Sequence, residues 1–108
     1  MNLEEELKKT TEIENIKENK FPKTPPFPYI VYAIRTNARG ADNINNLNDN
    51  TIAIALYDNK INKALEQKIE KWLDKLGIDY DKDREWQDEE KCYETYYEFN
   101  KLEKREDY

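Results

Sequence analysis

The chain has 108 residues, of which 39% are charged and 37% hydrophobic, and its formal net charge is −6. This length favours one domain, residues 1–108, with a modest core. Without histidine and with a single cysteine, the sequence excludes an intrachain disulfide, a cysteine-based metal cluster and catalysis that depends on histidine. The N-terminal sequence has no apolar signal region, and no apolar run approaches the roughly 18 residues that span a bilayer. We therefore expect a soluble protein, made in a reducing compartment and without a membrane partner.

The negative charge lies in the last third of the chain. Residues 1–78 carry 12 acidic and 12 basic side chains, whereas residues 79–108 carry 12 acidic and 6 basic ones. Binding to a nucleic-acid backbone requires clustered Lys and Arg, which this distribution lacks. The acidic third is either a solvated surface or a docking surface for a basic partner.

The N-terminal segment 1–20 is predicted to be a helix, because apolar residues recur near helical spacing in 3–19 and three glutamates occupy its first turn. Four prolines in 21–28 exclude a helix there. The β-branched and aromatic run 29–35 then predicts the first strand. The prolines form either a polyproline recognition motif or a stiff entry to this strand, with Phe21 and Phe27 packed beneath it, and we favour the second.

A long polar loop is predicted over 36–50, which is rich in asparagine. At about 15 residues it is long for a hairpin connection, which usually takes 2–5. Ile44 and Leu47 are apolar residues in this loop with no evident partner in the core. We expect the loop to become ordered against another subunit.

The alternation in 51–57 predicts a strand with Ile52, Ile54 and Leu56 on one face. A helix follows from Ile61 to Lys75, with Asp58 or Asn59 as its N-cap and Gly77 just beyond its C-terminus. Its apolar face is predicted to organise the core; this face consists of Ile61, Leu65, Ile69, Trp72, Leu73 and Leu76.

Two further strands are predicted over 78–87 and 91–100, joined by a turn, and the charged tail 101–108 is predicted to fray. The resulting order is α-β-β-α-β-β. The fold class is therefore α+β: a four-stranded antiparallel or mixed sheet with two helices packed on one face.

No catalytic, cofactor-binding or metal-binding residue is predicted. With only Gly40 and Gly77, the chain has no glycine-rich phosphate loop. The alternating Asp79, Asp81 and Asp83 resemble the start of a calcium-binding loop, but an arginine stands where that loop requires glycine. No pocket is evident around the carboxylates and Cys92 has no histidine partner, so we expect a chain that is not an enzyme.

Eight tyrosines are the compositional oddity of this sequence. They serve either cross-strand packing or contact with an adjacent subunit, since tyrosine is favoured at interfaces. The candidate subunit interface comprises Asn37, Arg39, Ile44, Leu47, Tyr29, Tyr57, Tyr96 and Tyr97.

Several segments together resemble the tail-terminator, or tail-completion, proteins of long-tailed bacteriophages and of prophages in Gram-positive bacteria. They are PPFPYIVY at 25–32, GADN at 40–43, IALY at 54–57 leading into LEQKIE at 65–70, LGI at 76–78 and EEKCYETYYEF at 89–99. None is a catalytic signature, so the resemblance lies in their order and spacing along nearly the whole chain.

The resemblance implies a ring, usually a hexamer, that ends polymerisation of the tail tube and joins it to the head connector. The implied partners are further copies of the chain, the major tail protein and head–tail connector or adaptor proteins, while DNA passes through without specific binding. The implied location is the virion tail or neck, and the host cytoplasm during assembly. A neck or adaptor protein is a close variant. The competing hypothesis is a stand-alone acidic protein-binding module, such as a phage-encoded inhibitor that mimics nucleic-acid charge.

Overall fold

A computed structural model describes residues 2–38 and 47–104 of the chain, with side chains for 2–37 and 49–101. It has the α+β architecture predicted from the sequence, with two helices and a five-stranded mixed sheet rather than a four-stranded one. The elements are α1 (Leu3–Thr11), β1 (Ile16–Glu18), β2 (Tyr29–Ala38), β3 (Leu47–Asp58), α2 (Lys63–Lys75), β4 (Asp81–Gln87) and β5 (Cys92–Lys104).

The strand order across the sheet is β1-β2-β3-β5-β4. The edge strand β1 runs parallel to β2, and every other pair is antiparallel. Two hairpins, β2–β3 and β4–β5, are joined through α2, and β5 lies beside β3. The central strand β3 therefore pairs with β5 along its whole length and with β2 along nearly all of it.

The N-terminal helix is shorter than predicted, because it ends at Thr11 and the residues after it form β1. Glu12 adopts a left-handed conformation (φ 63°), which terminates the helix. The Thr11 hydroxyl donates to the carbonyl of Leu7 and accepts from the amide of Ile13, so it satisfies an amide that a continuing helix would have paired. Ile16 then pairs with β2, which gives the sheet its fifth strand.

The helix α2 begins later than predicted, and its end is where the sequence placed it. Its N-cap is Asn62, whose side chain accepts from the amide of Leu65; Asp58, predicted as a cap, instead accepts from the Asn62 amide group. Gly77 follows the helix with φ 70°. The amides of Gly77 and Ile78 donate back to Asp74 and Leu73, which completes a Schellman motif.

The hydrophobic core lies between the two helices and one face of the sheet. It contains Leu3 and Leu7 of α1, Ile69 and Leu73 of α2, and inward-facing residues of every strand but β4; the strand residues are Ile16, Ile30, Tyr32, Ile52, Ile54, Leu56, Tyr97 and Phe99. The predicted face of α2 is only partly used, since Ile61 and Leu76 are each 42% exposed. Among the residues that the structure describes, no helix lies on the opposite sheet face.

The β2–β3 connection is shorter than the predicted loop 36–50, because β2 continues through Ala38 and β3 begins at Leu47. The predicted frayed tail is also partly wrong, since β5 runs through Lys104. Residues 35–38, 47–51 and 100–104 thereby form a three-stranded arm that extends beyond β1 and β4. Among the described residues, no helix is long and apolar enough to cross a membrane.

Candidate interaction surface

The side of the sheet opposite the helices is here called the open sheet face. Alternation along the strands and the pairing register place its side chains in rows that cross four strands. These rows are Tyr29–Tyr57–Glu94–Glu85, Val31–Ala55–Tyr96–Asp83 and Ala33–Ala53–Glu98–Asp81. The face is thus aromatic at one end, small and apolar in its middle and acidic on β4 and β5.

An aromatic cluster forms one end of the open sheet face. Tyr29 stacks on Tyr57 at 4.9 Å and on Phe27 at 5.8 Å, and Phe21 meets it edge-on at 5.6 Å. Both phenylalanines of the proline segment therefore contact the first residue of β2, although Phe27 stays exposed rather than packed beneath the strand. The Tyr57 hydroxyl donates a 2.5 Å hydrogen bond to Glu94 Oε2. Burial and this hydrogen bond raise the pKa of Tyr57, so it remains protonated and an obligate donor to Glu94.

A cavity of about 320 Å³ lies beside the aromatic cluster, between the segment before β2 and the β4–β5 turn. Its wall includes the rings of Phe21, Tyr29 and Tyr57, the apolar side chain of Val31 and the carboxylates of Glu90 and Glu94. One cation, Lys20, also lines it. Its volume is at the lower end of the range for small-molecule sites.

The acidic part of the open sheet face opposes like charges across the β4–β5 ladder. Asp81 is paired in register with Glu98, and Glu85 with Glu94. Like charges directly opposite one another destabilise a sheet. Asp81, Asp83 and Glu85 make no ion pair with any residue that the structure describes. The chain therefore presents a negative surface that its own described side chains do not neutralise.

The basic residues of β4 lie on the helix side, where they hold the strand to α2. Arg84 donates from Nε and Nη2 to both oxygens of Glu66, and Lys82 and Thr95 donate to the same carboxylate at 2.9 Å each. The Glu66 side chain is only 3% exposed. Burial by itself raises the pKa of Glu66, but the hydrogen bonds outweigh it and hold that pKa at about 2. Alternation along β4 thus places its two bases on the helix side and leaves its acids on the open sheet face.

The predicted interface residues do not lie on one common surface. Tyr29, Tyr57 and Tyr96 share the open sheet face, and Tyr96 donates to Glu98 at 2.8 Å. Asn37 is exposed on the three-stranded arm. Leu47 begins β3, not a loop, and Arg39 and Ile44 lie outside the described residues.

The prediction that Tyr97 contacts an adjacent subunit is wrong. Tyr97 is fully buried between β5 and α2, and its hydroxyl donates to Glu70 at 2.7 Å. Its neighbour Tyr96 points to the other face because successive side chains of a strand alternate. The prediction from composition assigned Tyr96 and Tyr97 alike to the subunit interface, whereas Tyr97 belongs to the hydrophobic core.

Two cavity residues, Phe21 and Glu90, were not identified as site residues from the sequence. The predicted strand 91–100 contains both Glu94 and Tyr96, and side chains two positions apart in a strand share a face, which is the one signal that points towards the cavity. Phe21 precedes β2 by eight positions and Glu90 lies in the β4–β5 turn. They meet only because β5 lies between β3 and β4, a topology that the local pattern does not encode.

The described part of the chain contains no group of three or more His, Cys, Asp or Glu side chains arranged to hold a metal ion. Cys92 is buried, and burial together with Glu90 and Glu94 raises the pKa of its thiol. A protonated buried thiol is a packing group and a poor nucleophile. The sequence matches no protein-family model, and no curated protein is significantly similar to it.

Proposed function

We propose that this chain is a non-catalytic assembly subunit of the tail-terminator type, which forms a ring with copies of itself and joins a phage tail tube to the head connector. The proposal rests on the resemblance of the segments at 25–32, 54–57 and 89–99 to that family. The structural observation that supports it best is the open sheet face. A sheet covered by helices on one side only leaves its other side available to a neighbouring protein.

The middle of the open sheet face is suited to close approach by another backbone. Ala33, Ala53 and Ala55 form a patch of small side chains on adjacent strands, and Val31 borders it. Small side chains allow a neighbouring element to pack near the strands. The aromatic cluster at one end supplies the residue types that are enriched in interface cores.

The three-stranded arm offers a second contact region. At its base, Ile34 of β2 is 39% exposed, although it lies on the helix side of the sheet. On the same side of the sheet Thr36, the next inward-facing residue of β2, is exposed as well, whereas its β3 partner Asn50 is buried. An arm without a helix to cover it favours contact with a neighbouring subunit, which is the role proposed for this part of the chain.

The acidic side chains of β4 and β5 on the open sheet face are here called the acidic strip; they are Asp81, Asp83, Glu85, Glu94 and Glu98. This strip is compatible with a ring that surrounds DNA. A negative wall repels the phosphate backbone, so DNA would pass without adhering. The same strip also favours a second candidate function, a stand-alone acidic module that occupies a basic site on another protein. The unneutralised Asp81, Asp83 and Glu85 are the observation that favours this alternative.

Light scattering coupled to size-exclusion chromatography separates these two functions. A ring subunit is expected to form a defined oligomer, alone at high concentration or with the major tail protein. Ala53→Arg, on the open sheet face, is expected to abolish that oligomer. Ala64→Arg is the matched control, because Ala64 is exposed on α2. A chain that stays monomeric under both conditions contradicts the ring and favours the acidic module.

A further inference from the structure

The cavity at the aromatic end of the open sheet face has walls suited to a planar cation. The rings of Phe21, Tyr29 and Tyr57 line it, and the contacts between them at 4.9 and 5.6 Å hold them in place. Tyr29 is buried and stacks on both Phe27 and Tyr57, so the rings left for a cation are Phe21 and Tyr57. The face of an aromatic ring carries negative potential and attracts a guanidinium or ammonium group within about 6 Å. Rings fixed by packing lose little entropy when a ligand binds.

Carboxylates complete the cavity and give it a negative excess. Glu94 uses Oε2 to accept from Tyr57, which leaves its other oxygen available. Glu90 is exposed and makes no ion pair or hydrogen bond within the described residues. Against these two charges stands the single ammonium of Lys20, which likewise forms no ion pair among the described residues. A bound cation would therefore meet two carboxylates.

The size and surroundings of the cavity indicate a side chain presented by a protein. A volume of about 320 Å³ suits a small group, and Val31 offers an apolar surface for an aliphatic stem. The row that ends in Glu85 connects the cavity to the acidic strip. A partner with a basic surface would be attracted by the strip and anchored in the cavity.

We propose that this cavity binds an arginine side chain of a partner protein other than this chain. Arginine fits better than lysine, because its planar guanidinium stacks on aromatic rings and donates to two carboxylates at once. The proposal rests on the proposed function and deepens it, since it gives the chemistry by which the open sheet face recognises one of its partners.

The test is a nuclear magnetic resonance titration of the full-length chain with Nα-acetyl-arginine methylamide. The neutral isostere, the corresponding citrulline derivative, is titrated in parallel. We expect saturable shifts of the backbone amides of Tyr57, Glu90 and Glu94 with the arginine probe and none with citrulline. Shifts of the same size with both probes, or shifts without saturation, would overturn the proposal.

Two matched pairs of variants locate the binding. Glu90→Gln is expected to weaken the arginine probe about threefold, as for one exposed ion pair, whereas Glu89→Gln in the same turn is expected to leave it unchanged. Phe21→Leu removes a ring from the cavity wall and is expected to weaken binding to a similar degree. Phe27→Leu is its control, because Phe27 stacks on Tyr29 without lining the cavity. Equal effects within either pair would contradict the assignment.

The titration is distinguishable from the test of ring formation. A chain that assembles but does not bind the arginine probe refutes the arginine site and leaves the ring proposal intact. A chain that binds the probe at the cavity but never assembles supports the site and contradicts the ring. The oligomeric state is therefore measured in the same samples.

Discussion

Arg84 binds the carboxylate of Glu66 through two parallel hydrogen bonds, from Nε at 2.9 Å and from Nη2 at 2.6 Å. The pair joins β4 to α2 and takes the place of apolar packing, because no β4 residue belongs to the hydrophobic core. An edge strand with the sequence DKDREWQ has little to bury. The attachment of β4 on its helix side therefore depends on two carboxylates of α2: the buried Glu66, and Glu70, which accepts from Lys82 at 2.6 Å.

Replacing Glu66 by Gln is expected to destabilise the fold by about 3 kcal/mol, because Arg84 loses its counter-charge in a largely buried site and Lys82 keeps only its pair with Glu70. Urea unfolding followed by circular dichroism measures the loss. Asp74→Asn, an exposed acid on the same helix, is the control and is expected to change stability by less than about 0.5 kcal/mol. Equal losses in both variants would refute a special role for Glu66.

The stability of the chain is expected to fall with pH in acid, in part through Glu66. Its pKa in the folded chain is about 2, below the ordinary carboxyl value of 4.5, so folding favours the ionised form. The stabilisation is therefore complete above the ordinary value and is lost as pH falls from there towards 2. Unfolding free energies measured across this range should decline less steeply in Glu66→Gln than in the parent chain. Identical slopes would contradict the lowered pKa.

The adjacent tyrosines of β5 are expected to respond differently to loss of their hydroxyl groups. Tyr97→Phe removes a buried donor to Glu70 and is expected to cost about 1 kcal/mol. Tyr96→Phe removes an exposed bond to Glu98 and is expected to change stability by only a few tenths of a kcal/mol. Thermal unfolding of both variants provides the measurement. A larger loss in Tyr96→Phe would mean that the two faces of β5 are wrongly assigned.

Ile34→Ser is expected to weaken assembly while changing the stability of the monomer by about 1 kcal/mol or less, since its side chain is 39% exposed at the base of the arm. Ile61→Ser makes the same chemical change at a site that is 42% exposed, before α2, and serves as the control. Light scattering reports assembly and urea unfolding reports stability. If Ile34→Ser unfolds the monomer, Ile34 belongs to the core and the arm is not a contact region.

Residue periodicity alone predicted an element correctly where its pattern fits only one type of secondary structure. The strand around Ile52, Ile54 and Leu56 and the end of α2 at Gly77 were identified correctly, because alternation and a left-handed glycine are local requirements. The predicted helix wrongly included Ile13 and Ile16, because their spacing suits a helix. Both side chains are buried without one: Ile16 lies in β1 and Ile13 lies between α1 and β1. Burial against β2, which is a tertiary contact, decided between the two.

The sequence by itself determined which residue types are available: an acidic last third, no histidine, and tyrosines beside glutamates in alternating strands. Only the tertiary structure decided where they meet, because pairing of β5 with both β3 and β4 brings Phe21 and Tyr57 close to Glu90. It also separated the charges of β4, with Arg84 held by Glu66 on one side and acids exposed on the other. A strand pattern specifies two faces, but it does not specify which face the helices cover.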